Sequence, residues 1–271
     1  NLDLHMTLDT TDGTGPTAYR DGIKCLGNSL TVPEFPYPLQ DARGTIVVLP
    51  DKITIESISA VPGPAVGIVS QDSAVRLSGE ITLANGAMDT ATLDIKADDI
   101  FFESQLARAM PGGLRVLYDR LLPSGRFGLN LSEVRITQLA DGTREVAVEG
   151  KVRLEKCLFR ITGARTETDN ADLNVRGMYR HEQGISDCVV DIDAQSLKIQ
   201  DKALTDLTAR LTYDQTKQRW FTDDIAADCY GGKLLGSFDF NQPEQGPIDY
   251  LLQVAFDNLD ISLDLAWPLI D

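Results

Sequence analysis

Histidine and cysteine are scarce in this chain of 271 residues, with two of the first and four of the second. Cys25, Cys157, Cys188 and Cys229 lie far apart and form no CxxC pair, which sets aside zinc-knuckle and thioredoxin-like chemistry. Their spacing leaves open both free buried thiols and two disulfides in any of three connectivities. His5 and His181 have no other His or Cys at ligand spacing, so no metal site is expected at either. No run of about 18 apolar residues occurs, so no segment reads as a membrane-spanning helix. Positive charge is also short: 25 Lys and Arg face 41 Asp and Glu, a net −16. Such a chain is repelled by phosphate backbones and anionic lipid surfaces, which excludes nucleic-acid binding first of all. The GxSxG elbow, the P-loop, the dinucleotide fingerprint and the D-x-D-x-D-G calcium loop are all missing. There is no initiator Met and no signal-like leader, and the chain opens mid-pattern at Asn1-Leu2-Asp3-Leu4. It reads as a piece of something longer.

What is present is alternation. Leu2, Leu4, Met6 and Leu8 alternate with Asp3, His5, Thr7 and Asp9, the period of a half-buried strand. The same pattern recurs at Ile53–Ile55, Val75–Leu77, Ile81–Leu83, Leu93–Ala97, Phe127–Leu131, Val134–Ile136, Val146–Glu149 and Lys151–Leu154. It returns at Leu173–Val175, Val190–Ala194, Leu207–Leu211, Phe238–Phe240 and Tyr250–Phe256. Turn signals separate the runs: Asp12-Gly13, Pro62-Gly63-Pro64, Asn85-Gly86, Asp141-Gly142, Gly231-Gly232 and Gln242-Pro243. Asn85-Gly86 and Asp141-Gly142 are the better two-residue hairpin candidates. The expectation is an all-β antiparallel meander of roughly twenty short strands.

One interruption is helical. Glu103 to Met110 meets Pro111-Gly112-Gly113, and Leu114, Leu117 and Leu121 follow at helical spacing before Pro123-Ser124-Gly125 closes the segment. We therefore divide the chain into a β segment over 1–102, a helical insert over 103–124, and a β segment over 125–271 continuing the same sheet. So short an insert cannot cover twenty strands. The apolar face must be sealed by a sandwich or barrel, or be left to line a groove.

The β pattern also repeats internally. Leu39-Gln40-Asp41-Ala42-Arg43-Gly44-Thr45-Ile46 matches Leu204 to Leu211 at an offset of 165, and Leu77-Ser78-Gly79 matches Leu234-Leu235-Gly236 at 157. Leu93 to Ile100 matches Leu252 to Leu259 at 159, with Val190 to Leu197 as a third copy. Repetition of one β unit favours a quasi-one-dimensional array over a single enzyme pocket.

Carboxylate pairs are numerous, at Asp98-Asp99, Asp223-Asp224, Asp191/Asp193 and Asp257/Asp260. A glycosidase needs two of them facing across a cleft, but these fall on polar strand positions or strand ends, where they solubilise and block edge pairing. No catalytic residue, metal ligand or cofactor site is nominated, and the chain is expected not to be an enzyme.

The stretch Asp228-Cys229-Tyr230-Gly231-Gly232-Lys233-Leu234-Leu235-Gly236-Ser237-Phe238-Asp239-Phe240, followed by Asp249-Tyr250-Leu251-Leu252-Gln253-Val254, resembles the C-terminal region of the AsmA-like family. The first half resembles its Planctomycetes-type form, through Phe35-Pro36-Tyr37-Pro38-Leu39 leading into the Gly44 strand and through Leu121-Leu122-Pro123-Ser124-Gly125 after the helix. The likeness covers about Pro33 to Leu265. It implies a long twisted sheet curled into a groove that shields lipid or phospholipid acyl chains in the periplasm, supporting outer-membrane maintenance. It further implies a protein anchored in the membrane by an N-terminal segment not seen here, and no cofactor. The residues it assigns to the groove lining are Ile46, Val48, Leu93, Ile95, Leu207, Leu211, Tyr250, Leu252, Val254 and Phe256. A closed sandwich or solenoid acting as a surface or adhesion module is the alternative, with a glycan hydrolase third. Twenty strands would give a groove of roughly 90 Å.

Overall fold

The computed structural model describes residues 2–8, 19–32, 35–63, 73–110, 112–161, 164–180, 184–241 and 249–258. The first six strands are β1 (Leu2–Leu8), β2 (Tyr19–Val32), β3 (Phe35–Val48), β4 (Lys52–Pro62), β5 (Ala74–Ala84) and β6 (Ala87–Phe101). Two helices follow, α1 (Ser104–Ala109) and α2 (Gly112–Leu121). The chain then forms β7 (Ser124–Gln138), β8 (Arg144–Ile161), β9 (Ala164–Arg180) and β10 (Gly184–Ile199). The last described strands are β11 (Lys202–Asp214), β12 (Arg219–Cys229), β13 (Gly232–Asn241) and β14 (Asp249–Asp257). All fourteen lie in one sheet in chain order, every pair antiparallel.

The sheet is open. Substantial contacts between strands join only hydrogen-bonded neighbours, so the described residues form neither a barrel nor a second layer, and the closed-sandwich alternative does not match them. At about 4.8 Å per strand the array extends for about 60 Å.

Among the described residues there are fourteen strands, most of them longer than the short ones expected. The reason is a three-residue step in the apolar spacing that interrupts the period of two without ending the strand. In β7 the inward series runs Leu129, Leu131, Val134, Ile136, with the register shifting between Leu131 and Glu133. Comparable irregularities occur between Thr45 and Ile46, between Ala97 and Ile100, and between Thr222 and Ile225. A bulge of this kind adds a residue, bends the strand and raises its twist.

The turns follow local chemistry. Asn85 and Gly86 both have positive φ (54° and 78°), the hairpin geometry that matches strand twist. Across Asp141-Gly142, Gly142 donates to the Leu139 carbonyl at 3.0 Å and Thr143 to Asp141 Oδ1 at 2.9 Å. Between β12 and β13 the turn residues are Tyr230 and Gly231 (φ 48° and 74°), so Gly232 opens the strand rather than the turn. Asp12-Gly13, Pro64, His181, Gln242-Pro243 and residues 259–271 lie outside the described residues, as does the His5 side chain.

The helical insert packs α1 on β3 and α2 on β8. Leu106 and Ala109 of α1 are buried with Tyr37 of β3, and the Phe102 ring lies tilted against that of Phe127 at a centroid separation of 4.8 Å. The matched sequence copies fall on β3 and β11, β5 and β13, and β6 and β14, each pair eight strands apart. The third copy, Val190 to Leu197, lies on β10, midway between β6 and β14.

Candidate functional site: one apolar face across thirteen strands

Side chains opposite one another on neighbouring strands share a face, so the register traces each face across the sheet. One row runs Ile23, Ile46, Ile55, Gly79, Leu93, Val134, Val148. It continues through Gly177, Cys188, Tyr213, Trp220, Phe240 and Tyr250. From β2 to β14 this row contains no charge. A row on the opposite face runs Arg76, Lys96, Asn130, Lys151, Asn174, Asp191, Arg210. The contrast sorts the sheet into an apolar side and a charged side.

All ten residues assigned to the groove lining fall on the apolar side. Ile46, Leu93 and Tyr250 belong to the row itself. Val48 opposes Ile53, Ile95 opposes Leu77, and Leu252, Val254 and Phe256 oppose Phe238, Gly236 and Leu234. Leu211 opposes Val190, and Leu207 opposes Ala194. Among the described strand residues, charged side chains reach this side only near strand ends, at Asp21, Arg144 and Lys202.

The two ends of the strands differ. At the end carrying the β8–β9 and β10–β11 turns the apolar side is packed tight with small side chains: Ala42, Ala97, Cys157, Ala194 and Ala227 are buried. At the other end, in the C-terminal half, rings crowd together. Tyr213 lies 5.2 Å from Trp220, Trp220 is stacked 6.5 Å from Phe240, and Phe240 is 5.4 Å from Phe238. Glycines sit where strands bend. A Cβ on Gly44 would fall 1.7 Å from the Ser57 carbonyl oxygen, and one on Gly79 2.2 Å from that of Thr92. Only glycine lets the neighbouring backbone approach so closely.

The thiols report the same environment. Burial pushes Cys188 up to about 11 and raises Cys157 and Cys229 as well. All four cysteines are free, including Cys25 opposite Gly44.

No family model, curated protein or solved structure matches this chain.

Of the carboxylates singled out in the sequence, Asp98 pairs with Arg76 at 2.9 Å and Asp191 with Arg210 at 2.6 Å, both on the charged side, and Asp260 lies outside the described residues. Asp99 pairs with Arg126 at 2.7 Å. Among the described residues no three His, Cys, Asp or Glu side chains gather as a metal site would need. The aromatic cluster and the three-residue steps were not anticipated from sequence. Trp220 and Tyr213 lie on different strands with a turn between them, and only the register brings their rings together.

Proposed function

We propose that this chain is a non-enzymatic segment of an AsmA-like envelope protein whose apolar face binds or conducts lipid acyl chains. The observation that carries the proposal is the uninterrupted apolar row from β2 to β14, with no second layer over it among the described residues. Contiguous exposed apolar surface beyond a few hundred Å² marks an interaction site, and each Å² removed from water contributes about 25 cal/mol. A folded protein partner is held by polar groups placed at fixed points, and the row from Ile23 of β2 to Gly177 of β9 offers none in its side chains. An acyl chain asks for none and gains by sliding along a uniform wall. The charged side and the net −16 keep the outer surface in water and away from anionic bilayers. In this reading the protein works in the periplasm, anchored to a membrane through a segment outside this sequence, and supports the outer membrane.

Native mass spectrometry of the detergent-free chain tests the proposal. The wild type carries co-purified lipid, and Gln253→Asp, on the opposite side, keeps it. Val254→Asp and Ile192→Asp place a carboxylate on the apolar side, which acyl chains cannot solvate, and these variants retain the β spectrum but lose the lipid. A lipid-free wild type, or equal lipid in all four proteins, defeats the reading.

A further inference from the structure

The helical insert is laid on a particular bed. Leu106 and Ala109 of α1 are buried with Tyr37 of β3, and Leu39, Phe102 and Met110 pack against them. This bed lies three strands back from β6, the strand that α1 follows. At about 4.8 Å per strand the chain recrosses about 14 Å of the apolar side. It does so within the stretch from Asp99 to Leu106.

Cap and bed both recur in the C-terminal half. The offset of 159 that relates Leu93–Ile100 to Leu252–Leu259 runs on past the strand. Phe102 corresponds to Ile261, Leu106 to Leu265 and Ala107 to Ala266, and each run then meets a proline, Pro111 or Pro268. The entry to the segment is copied as well, Asp99 and Asn258 sharing φ values of 53° and 54°. At the offset of 165, Tyr37 and Leu39 of β3 correspond to Lys202 and Leu204 of β11, which lies three strands back from β14. Leu204 is buried in a cluster with Ala227, Cys229 and Leu234, so the second bed keeps an apolar floor.

We propose that the start of β11, on the apolar side, is the docking site of the chain's own segment 259–267, which lies outside the described residues. Leu265 and Ala266 take the places of Leu106 and Ala107, both buried in the insert, and rest on Leu204 and the aliphatic stem of Lys202. The chain leaves β14 at the same end of the sheet at which β11 begins. The stretch from Asn258 to Leu265 is as long as that from Asp99 to Leu106, and at up to about 3.3 Å per residue it reaches β11 with slack. Because cap and bed are copied together within one chain, the occupant is this segment rather than a partner's or a second copy's. The closure concerns the end of the sheet itself and stands apart from the acyl-chain reading.

Two double variants of the intact chain test this. In oxidised glutathione, Lys202→Cys with Leu265→Cys forms a disulfide within one chain, mapped by mass spectrometry of proteolytic fragments, because the two positions are in contact. Lys198→Cys with Leu265→Cys does not, since Lys198 stands between the apolar-side Leu197 and Ile199 and points to the charged side. In the unaltered chain, amide hydrogen exchange over 259–267 is slow. Ala266→Asp, which sets a carboxylate against the apolar bed, speeds it by more than about tenfold while β11 keeps its protection. No disulfide between 202 and 265, equal yields from the two pairs, or a disulfide joining two chains overturns the proposal. So does wild-type exchange over 259–267 at the rate of an unstructured peptide, or slow exchange that Ala266→Asp leaves unchanged.

Discussion

Asp41 and Asp206 hold the same left-handed backbone conformation, φ 50° and 51°, at matching positions of β3 and β11. Asp99 and Asn258 do so at φ 53° and 54°, again in matching copies. This conformation costs most residues about 1–2 kcal/mol and costs Asp, Asn and Gly least. Alternation of apolar residues alone would not place such residues twice in register. Asp206→Val should therefore lower the urea midpoint, with a loss of about 1–2 kcal/mol, while Asp206→Gly stays within about 0.5 kcal/mol. Equal effects of the two would show that the backbone conformation is not the constraint.

Tyr37 Oη donates to Glu103 Oε1 at 2.9 Å and fastens the start of the helical insert to β3. Burial first, and then Glu103, hold the Tyr37 phenol well above its ordinary value. A raised value in the folded chain means this contribution is complete below about pH 10 and is lost as pH climbs above it. Tyr37→Phe should cost about 0.5–1.5 kcal/mol at pH 7 and flatten the decline of thermal stability between pH 9.5 and 11.5. An unchanged alkaline slope would remove Tyr37 from that role.

Removing the insert is the broader version of the same experiment. Because the main strand contacts of α1 and α2 are to β3 and β8, deletion of 103–122 with a short bridge should preserve most of the far-UV β signal. Loss of cooperative unfolding in the deletion would show instead that the helices hold the sheet together.

The thiols give a chemical readout. With all four free, reductant should leave the melting midpoint in place, whereas a structural disulfide contributes about 2–4 kcal/mol and its reduction would lower it visibly. With Cys188 pushed up to about 11, its thiolate at pH 8 is scarcer than that of an unperturbed thiol by roughly two orders of magnitude. Mass-spectrometric alkylation should label Cys188 slowly in the folded chain and promptly in urea.

The class of fold, the place of the insert and the repeat were legible because each is written in local periodicity. Strand number was not, because the step from Leu131 to Val134 imitates a strand end when only alternation is counted. The face of each candidate residue was legible along a strand, as for Leu252 and Val254. Which residues of other strands join them, as Gly236 joins Val254, depends on register. Register is set by bulges and turn lengths that no single window contains. The Tyr37–Glu103 bond lay beyond reach for the same reason, joining residues 66 apart.

The strand order has a last consequence, in how the chain folds and fails. Since every described strand pairs only with those next to it in sequence, contact order is low for an all-β protein, and such topologies fold faster than sandwiches or barrels of similar size. Any adjacent pair can nucleate, and growth proceeds outward in either direction. Pulled from its termini, the sheet should come apart one strand at a time as a series of small force steps rather than in a single rupture.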